Sequence, residues 1–217
     1  GPTWQSIIPN KHMQIISIYT KFKQCASVTT DTRTLKGGEM FFALKGENFD
    51  GNEYALAALE AGARYAVVNA SSKVGAGCLA GALSPEVTER LIVVEDTLKT
   101  LQELARWHRS MTFVDGKPLR VIALTGTNGK TTTKELIAEV APMGVRIFRS
   151  PRSYNSQLGV ALSLLMIEGT EDMAVIEAGI SRPDEMARLE AMIRPDIGIF
   201  TALGHQHDEN FIDWGHK

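Results

Sequence analysis

The sequence predicts an α/β protein in two parts: a small N-terminal α/β domain over residues 1–115, then a P-loop domain on a parallel sheet over residues 116–217, read as incomplete. Three observations predict it. Short apolar runs alternate with helical stretches, a spacing that implies right-handed crossovers and parallel strands. One such run, Arg120–Leu124, leads straight into a glycine turn and a helix start. Between two series of this kind, Ser110–Leu119, with Asp115-Gly116-Lys117-Pro118, has the composition of a linker.

In chain order, residues 3–30 offer only a short apolar stretch, Ile15–Tyr19, before a polar segment. Met40–Leu44 is an apolar run of buried-strand length, closed by Lys45-Gly46. Asn52–Ala61 has helical composition, and Gly62 stands where a C-terminal cap belongs. Tyr65–Val68 and Leu91–Val94 read as strands. Leu98–Arg109 reads as a helix, with Leu101, Leu104, Ala105 and His108 at helical spacing. Ser71–Thr88, rich in Gly, Ala and Ser, reads as a surface loop. Its Gly75-Ala76-Gly77 invites a dinucleotide fingerprint, but no strand feeds it and Pro85 follows soon after. Beyond the linker come strand Arg120–Leu124, helix Lys130–Val140, strand Val145–Phe148 and helix Gln157–Met166. Strand Met173–Ile176, helix Asp184–Met192 and strand Asp196–Phe200 complete the alternation.

Composition narrows the function. In 217 residues, 44% apolar and 22% charged, there is room and material for a buried core. A net charge of −2 supplies no global basic field for nucleic acid. No apolar run approaches the ~20 residues that span a bilayer. Cys25 and Cys78 lie far apart with no C-x-x-C pair, which argues against a disulfide framework or zinc knuckle. The expectation is a cytoplasmic monomer that binds small molecules, with no nucleic acid and no membrane insertion.

The chemistry concentrates at Thr125-Gly126-Thr127-Asn128-Gly129-Lys130-Thr131-Thr132. Glycines let the backbone turn its N–H groups inward onto phosphate oxygens with no Cβ in the way. The helix that starts near Lys130 adds its positive dipole end. Lys130 offers a mobile charge to the β/γ-phosphates and Thr131 a hydroxyl for Mg²⁺. Leu124 stands where the longer Walker pattern has its first glycine, so this is the shorter G-x-x-G-K-T form, and ATP is the predicted ligand.

That loop and several separate segments resemble the Mur ligase family. Thr30-Asp31-Thr32-Arg33 and Gly37 through Gly51 are similar to the family's uridine-recognition region. Lys130-Thr131-Thr132-Thr133-Lys134-Glu135 continues the ATP loop as the family does. Asn155-Ser156-Gln157-Leu158-Gly159-Val160 resembles a segment that reads N-N-x-I-G-V-P in the members that add D-Ala-D-Ala. Glu177-Ala178-Gly179 matches an E-M-G, and Gly204-His205-Gln206-His207 a G-x-A-H. Ser156, Arg152-Ser153 and Ala202 depart from that pattern, and make the second half resemble the branch fused to an alanine racemase.

The resemblance implies a reaction: UDP-MurNAc-tripeptide is joined to D-Ala-D-Ala at the expense of ATP, through an acyl phosphate that the amine displaces. It implies ATP and Mg²⁺ as cofactors and Lys130, Glu177 and His207 as catalytic residues, with Thr131, Glu177 and His207 on the metal. Gly126, Thr127, Asn128, Gly129, Lys130, Thr131 and Thr132 would hold the nucleotide. Thr32, Arg33, Asn48, Asp50 and Asn155 would hold the UDP precursor.

Each residue also has a plainer reading. Glu177 ends an apolar strand at the edge where such sheets place ligands, yet is also an ordinary loop acid. The local sequence does not separate His207 from His205. Asn155 precedes a helix and reads equally as its cap, and Asp50-Gly51 as a turn. Arg146, Arg149 and Arg152 read as a solvated face or a steering patch. The family's central domain is longer than the part here and is followed by a third. The chain therefore reads as a fragment, inactive alone, in which a UDP-precursor-binding module is the alternative to an enzyme. A folylpolyglutamate-type ligase or another Mur ligase is the other alternative, the former opposed by the uridine-like segment.

Overall fold

The computed structural model describes residues 10–179 and 184–202. The chain divides into two compact units, Gly1–Leu104 and Ala105–Lys217. Among the described residues no helix is long and apolar enough to cross a membrane.

The first unit opens with α1 (Lys11–Phe22), capped by Asn10, whose side chain accepts from the His12 amide. Its buried residues Ile15, Ile18 and Phe22 fall on one helical face. The short apolar stretch in the sequence was thus the inner stripe of a longer helix. Strands β1 (Val28–Thr29), β2 (Met40–Phe42), β3 (Tyr65–Asn69) and β4 (Leu91–Val94) form one parallel sheet in that order. All three residues of β2 are buried, as befits a strand covered on both faces. The expected helix from Asn52 divides into a 3-10 turn, Gly51–Tyr54, and α2 (Ala55–Glu60). Ala55, Ala58 and Leu59 of α2 pack with Phe41, Ala66 and Val68 in the core of this unit. Gly62 follows with φ +103°, the left-handed geometry expected of the residue past a helix end.

The surface loop expected over Ser71–Thr88 is instead two short helices, α3 (Lys73–Leu79) and α4 (Pro85–Arg90). Ser72 accepts from the Gly75 amide, and Ser84 accepts from the Val87 amide with Pro85 in the first turn. Both are N-terminal caps that the Gly/Ala/Ser composition concealed. Gly75 is needed for contact rather than flexibility: a Cβ there would sit 2.1 Å from the Asn69 carbonyl oxygen.

Helix α5 (Thr97–Ser110) leads into the second unit. The expected linker holds a hairpin, β5 (Phe113–Val114) antiparallel to β6 (Lys117–Pro118). Its two turn residues, Asp115 and Gly116, both have positive φ, the requirement of a tight hairpin turn. Strands β7 (Arg120–Thr125), β8 (Ile147–Arg149), β9 (Met173–Glu177) and β10 (Ile197–Phe200) form a parallel sheet in the order β10-β7-β9-β8. Helices α6 (Lys130–Glu139), α7 (Gln157–Leu165) and α8 (Glu185–Ile193) alternate with them. The parallel sheets and the strand–helix rhythm are as the sequence predicts.

That order places the site. From β7 the chain moves outward to β8, returns to β9 beside β7, and then crosses to β10 on the other flank. The carboxyl end of β7 is therefore where the sheet changes direction, and open α/β sheets leave a crevice there.

Candidate functional site

The turn after β7 is built by two glycines, Gly126 at φ +125° and Gly129 at φ +86°. Gly129 is the residue before α6 and brings no side-chain cap. The first amides of α6 consequently have neither an intrahelical acceptor nor a capping oxygen, the arrangement that receives anions. Thr127 is different: its amide donates to the Ala202 carbonyl at 2.8 Å. Lys130 curls back, its Nζ donating to the Gly126 carbonyl.

The residues just past β10 brace this turn. The Thr201 amide donates to the Thr125 carbonyl at 2.9 Å. Thr201 Oγ1 lies within reach of the carbonyls of Asn128, at 2.5 Å, and Thr125, at 3.1 Å. A Cβ on Gly126 would fall 2.4 Å from Thr201 Oγ1 and 2.8 Å from the Ala202 carbonyl oxygen. Only glycine fits that closeness and that backbone angle together. Thr201 is a site residue that sequence reasoning missed, because its role is read from the sheet order rather than from any motif.

Glu177 is the last residue of β9, and its Cα pairs with that of Leu124 two residues before the turn. It is 2% exposed. Thr131 Oγ1 donates to its Oε2 at 3.2 Å, so the helix start and the strand-end carboxylate meet beside the loop. The Glu177 amide donates to Ser150 Oγ at 3.0 Å. Lys134, 1% exposed, donates to the Ser150 carbonyl at 2.7 Å and sets its Nζ 2.6 Å from Glu177 Oε1. That last approach lies off the line of a directed hydrogen bond, so Oε1 has an ionic neighbour but no hydrogen-bond donor. Thr125 Oγ1, at the foot of the loop, is likewise buried without a hydrogen-bond partner. Lys134 and Ser150 are further residues that the sequence did not single out. The signal for Lys134 was its place four residues after Lys130, on the same helical face.

Uncapped amides, a lysine ammonium held over the loop by the Gly126 carbonyl, and a hydroxyl beside a buried carboxylate fit a nucleotide phosphate with a divalent cation. Thr131, Glu177 and the α6 amides are the groups that would hold them. Thr132 lies in the same exposed first turn, and Asn128 is an exposed residue of the loop whose carbonyl accepts from Thr201 Oγ1. His207, predicted as a second metal ligand, lies outside the described residues, as does His205.

Asn155 does not cap α7; Ser156 does, accepting from the Gly159 amide at 3.1 Å. The Asn155 carbonyl accepts from the Gly179 amide at 2.7 Å, which brings Asn155 to the strand end that carries Glu177. Two members of the basic cluster are paired with acids, Arg146 with Asp172 and Arg149 with Glu135.

In the first unit, Thr32 and Arg33 follow the carboxyl end of β1, and Asn48 and Asp50 that of the adjacent β2, on one edge of the sheet. Arg33 is exposed and pairs with Asp31 at 2.7 Å. Its guanidinium holds the Asp31 carboxyl down at about 2. Asp50 caps the 3-10 turn: its Oδ1 accepts from the Asn52 side chain at 2.6 Å and the Asn52 amide at 2.9 Å. Those two bonds lower its carboxyl below the ordinary range. Asn52 then passes order along the same edge by accepting from the Asn69 amide at 2.8 Å.

A phosphate-type loop at the direction change of one parallel sheet, after a second parallel unit, defines a two-unit α/β nucleotide-binding protein. Residues 124–214 match the Mur ligase middle domain, and residues 24–109 match the domain described as Mur ligase family, catalytic domain. The chain belongs to the Mur ligase family. It is 33% identical over 180 residues to the UDP-N-acetylmuramoyl-tripeptide–D-alanyl-D-alanine ligase of Bacillus subtilis, covering 83% of this chain and 36% of that protein. Among solved structures it is similar to MurF from Acinetobacter baumannii, with a TM-score of 0.71 and 25% identity, over 92% of this chain and 42% of that one. It is similar also to MurF ligase from Thermotoga maritima in complex with ADP, with a TM-score of 0.68 and 27% identity, over 86% and 39%. The chain thus spans well under half the length of these relatives.

Proposed function

We propose that this chain is the precursor- and ATP-binding part of a MurF-type ligase, which joins UDP-MurNAc-tripeptide to D-Ala-D-Ala in peptidoglycan synthesis. In this reading residues 1–115 hold the UDP precursor and residues 116–217 the ATP. The observation that carries it is the meeting of Thr131 with Glu177 at 3.2 Å beside an uncapped helix start. The tripeptide–D-alanyl-D-alanine ligases it resembles support the substrate pair, and the ADP complex of one relative supports the nucleotide.

The residues divide the work. Amides at the start of α6 and the Lys130 ammonium take the phosphate charge. Thr131 and Glu177 receive the cation, with His207 as a further ligand. A divalent ion held there supplies the positive charge that lets a carboxylate approach a γ-phosphate, two anions that otherwise repel. Asn155 orients the substrate end near Glu177. Thr32, Arg33, Asn48 and Asp50 bind the uridine diphosphate along the edge of the first sheet, whose order Asp50 and Asn52 fix. A cytoplasmic location and a monomeric state belong to the same reading. The likeness of the second half to racemase-fused ligases rests on Arg152, Ser153, Ser156 and Ala202 alone.

Calorimetry with UDP-MurNAc-tripeptide and with Mg-ATP, separately, tests the two binding roles. Phosphate release with all three substrates tests ligation. We expect both ligands to bind, and no D-Ala-D-Ala-dependent release from these 217 residues alone, since the relatives' activity belongs to much longer chains. Failure of the UDP precursor to bind would favour a ligase of the same fold with another substrate, and substantial dependent release would show that these residues suffice for catalysis.

A further inference from the structure

Lys134 is the least exposed charged side chain near the loop and no step assigned above uses it. A lysine at 1% exposure requires a partner. Its Nζ lies 2.6 Å from Glu177 Oε1 and donates to the Ser150 carbonyl at 2.7 Å. A second acid, Glu135, stands 4.0 Å away, but it is exposed and also paired with Arg149. The one buried carboxylate at the site therefore already has a cation beside it. Ser150 fixes that carboxylate twice, through its Oγ to the Glu177 amide and through its carbonyl to Lys134. Glu177 is left with Oε2 turned to Thr131 and its charge largely offset by Lys134.

We propose that Lys134 neutralises Glu177 so that a divalent cation enters this site only together with nucleotide phosphates. The inference rests on reading the loop as a Mg-nucleotide site. Among the described residues no group of three or more His, Cys, Asp or Glu gathers to hold a metal ion. Among the described residues, a bare divalent ion is thus offered one offset carboxylate and one hydroxyl, too little to strip its water. Phosphate oxygens supply the missing negative charge. The two lysines of α6 then have separate tasks. Lys130 reaches over the loop and is free to exchange the Gly126 carbonyl for phosphate, while Lys134 stays on the carboxylate. By linkage, a metal that needs the nucleotide strengthens nucleotide binding by the same factor.

The test measures Mn²⁺ binding by the loss of free-ion paramagnetic resonance, with and without ADP, in the wild type and in Lys134→Met. Methionine keeps the unbranched stem and removes the charge. The wild type should bind Mn²⁺ only weakly without ADP and tightly with it. Lys134→Met should bind Mn²⁺ alone about tenfold tighter or more, and the factor by which ADP improves that binding should shrink accordingly. A lysine that merely filled the core would lower stability and leave this coupling factor unchanged, which would overturn the proposal. So would wild-type protein that binds Mn²⁺ equally well with and without ADP. If Lys134→Met does not fold, the double variant Lys134→Met/Glu177→Gln removes both buried charges and leaves neither uncompensated. It should bind ADP with little response to Mn²⁺, and a wild-type-sized response would count against the proposal. Absence of any ADP binding by the folded wild type would refute the nucleotide reading itself, and the inference with it. Normal Mn-ADP binding with unaltered coupling in the variants would refute the inference alone.

Discussion

Replacing Gly126 with alanine puts a methyl group where the loop has no room for one. Two costs add. At φ +125° an L-residue is strained by roughly 1–3 kcal/mol. The new Cβ, 2.4 Å from Thr201 Oγ1 and 2.8 Å from the Ala202 carbonyl oxygen, must also push the residues after β10 away. That movement breaks the hydroxyl bond of Thr201 and the Thr127–Ala202 amide bond, each worth about 0.5–1.5 kcal/mol. Together they predict a loss of about 2–6 kcal/mol, divided between folding stability and loop geometry. Urea denaturation measures the first share and calorimetry with Mg-ADP the second. A Gly126→Ala protein with wild-type stability and wild-type ADP affinity would refute the argument that this turn is held tight against β10 for phosphate.

Ser150→Ala leaves the buried Glu177 amide without an acceptor, which should cost about 1–3 kcal/mol in urea denaturation and loosen the carboxylate; an unchanged midpoint would contradict it. Burial pushes the Cys25 thiol up to about 11, so alkylation at pH 8 should run about a hundredfold or more slower than for a free cysteine. Rapid labelling of folded protein would count against that burial. The Asp31 carboxyl, depressed to about 2 by Arg33, contributes stability that is present above its unfolded value of about 3.9 and lost as pH falls through 2. The stability gap between wild type and Asp31→Asn should therefore be flat above about pH 4, close on acidification, and shrink in salt, as for any exposed ion pair. A gap that widens on acidification would be the wrong sign.

Periodicity made most of the fold legible. Strands Met40–Phe42 and Met173–Glu177 fall on the apolar runs Met40–Leu44 and Met173–Ile176, and the strand–glycine–helix order at Gly126 gives the loop directly. What stayed hidden depended on other kinds of information. Composition suggested a loop over Ser71–Thr88 because the segment is rich in Gly, Ala and Ser, Gly75 among them. The true role of Gly75, clearance for the Asn69 carbonyl, exists only once α3 lies against β3. The hairpin at Phe113–Pro118 is too short to carry an alternating pattern, and only the Asp115-Gly116 turn marks it. At the site, Lys130, Thr131 and Glu177 were readable from local motif and strand end. Lys134, Ser150 and Thr201 were not, since their meaning lies in strand order: β8 beside β9, and β10 beside β7.

The central claim is that the amides from Gly129 to Thr132, Lys130 and the Thr131–Glu177 pair receive nucleotide phosphate with its cation. Amide-resolved magnetic resonance of the ¹⁵N-labelled chain, with Mg-ADP added stepwise, tests it most directly. The largest shifts should fall on Gly129 through Thr132, with smaller ones at Glu177 and Thr201. Saturable ADP binding that leaves those amides unmoved, or that shifts another part of the chain instead, would contradict the account.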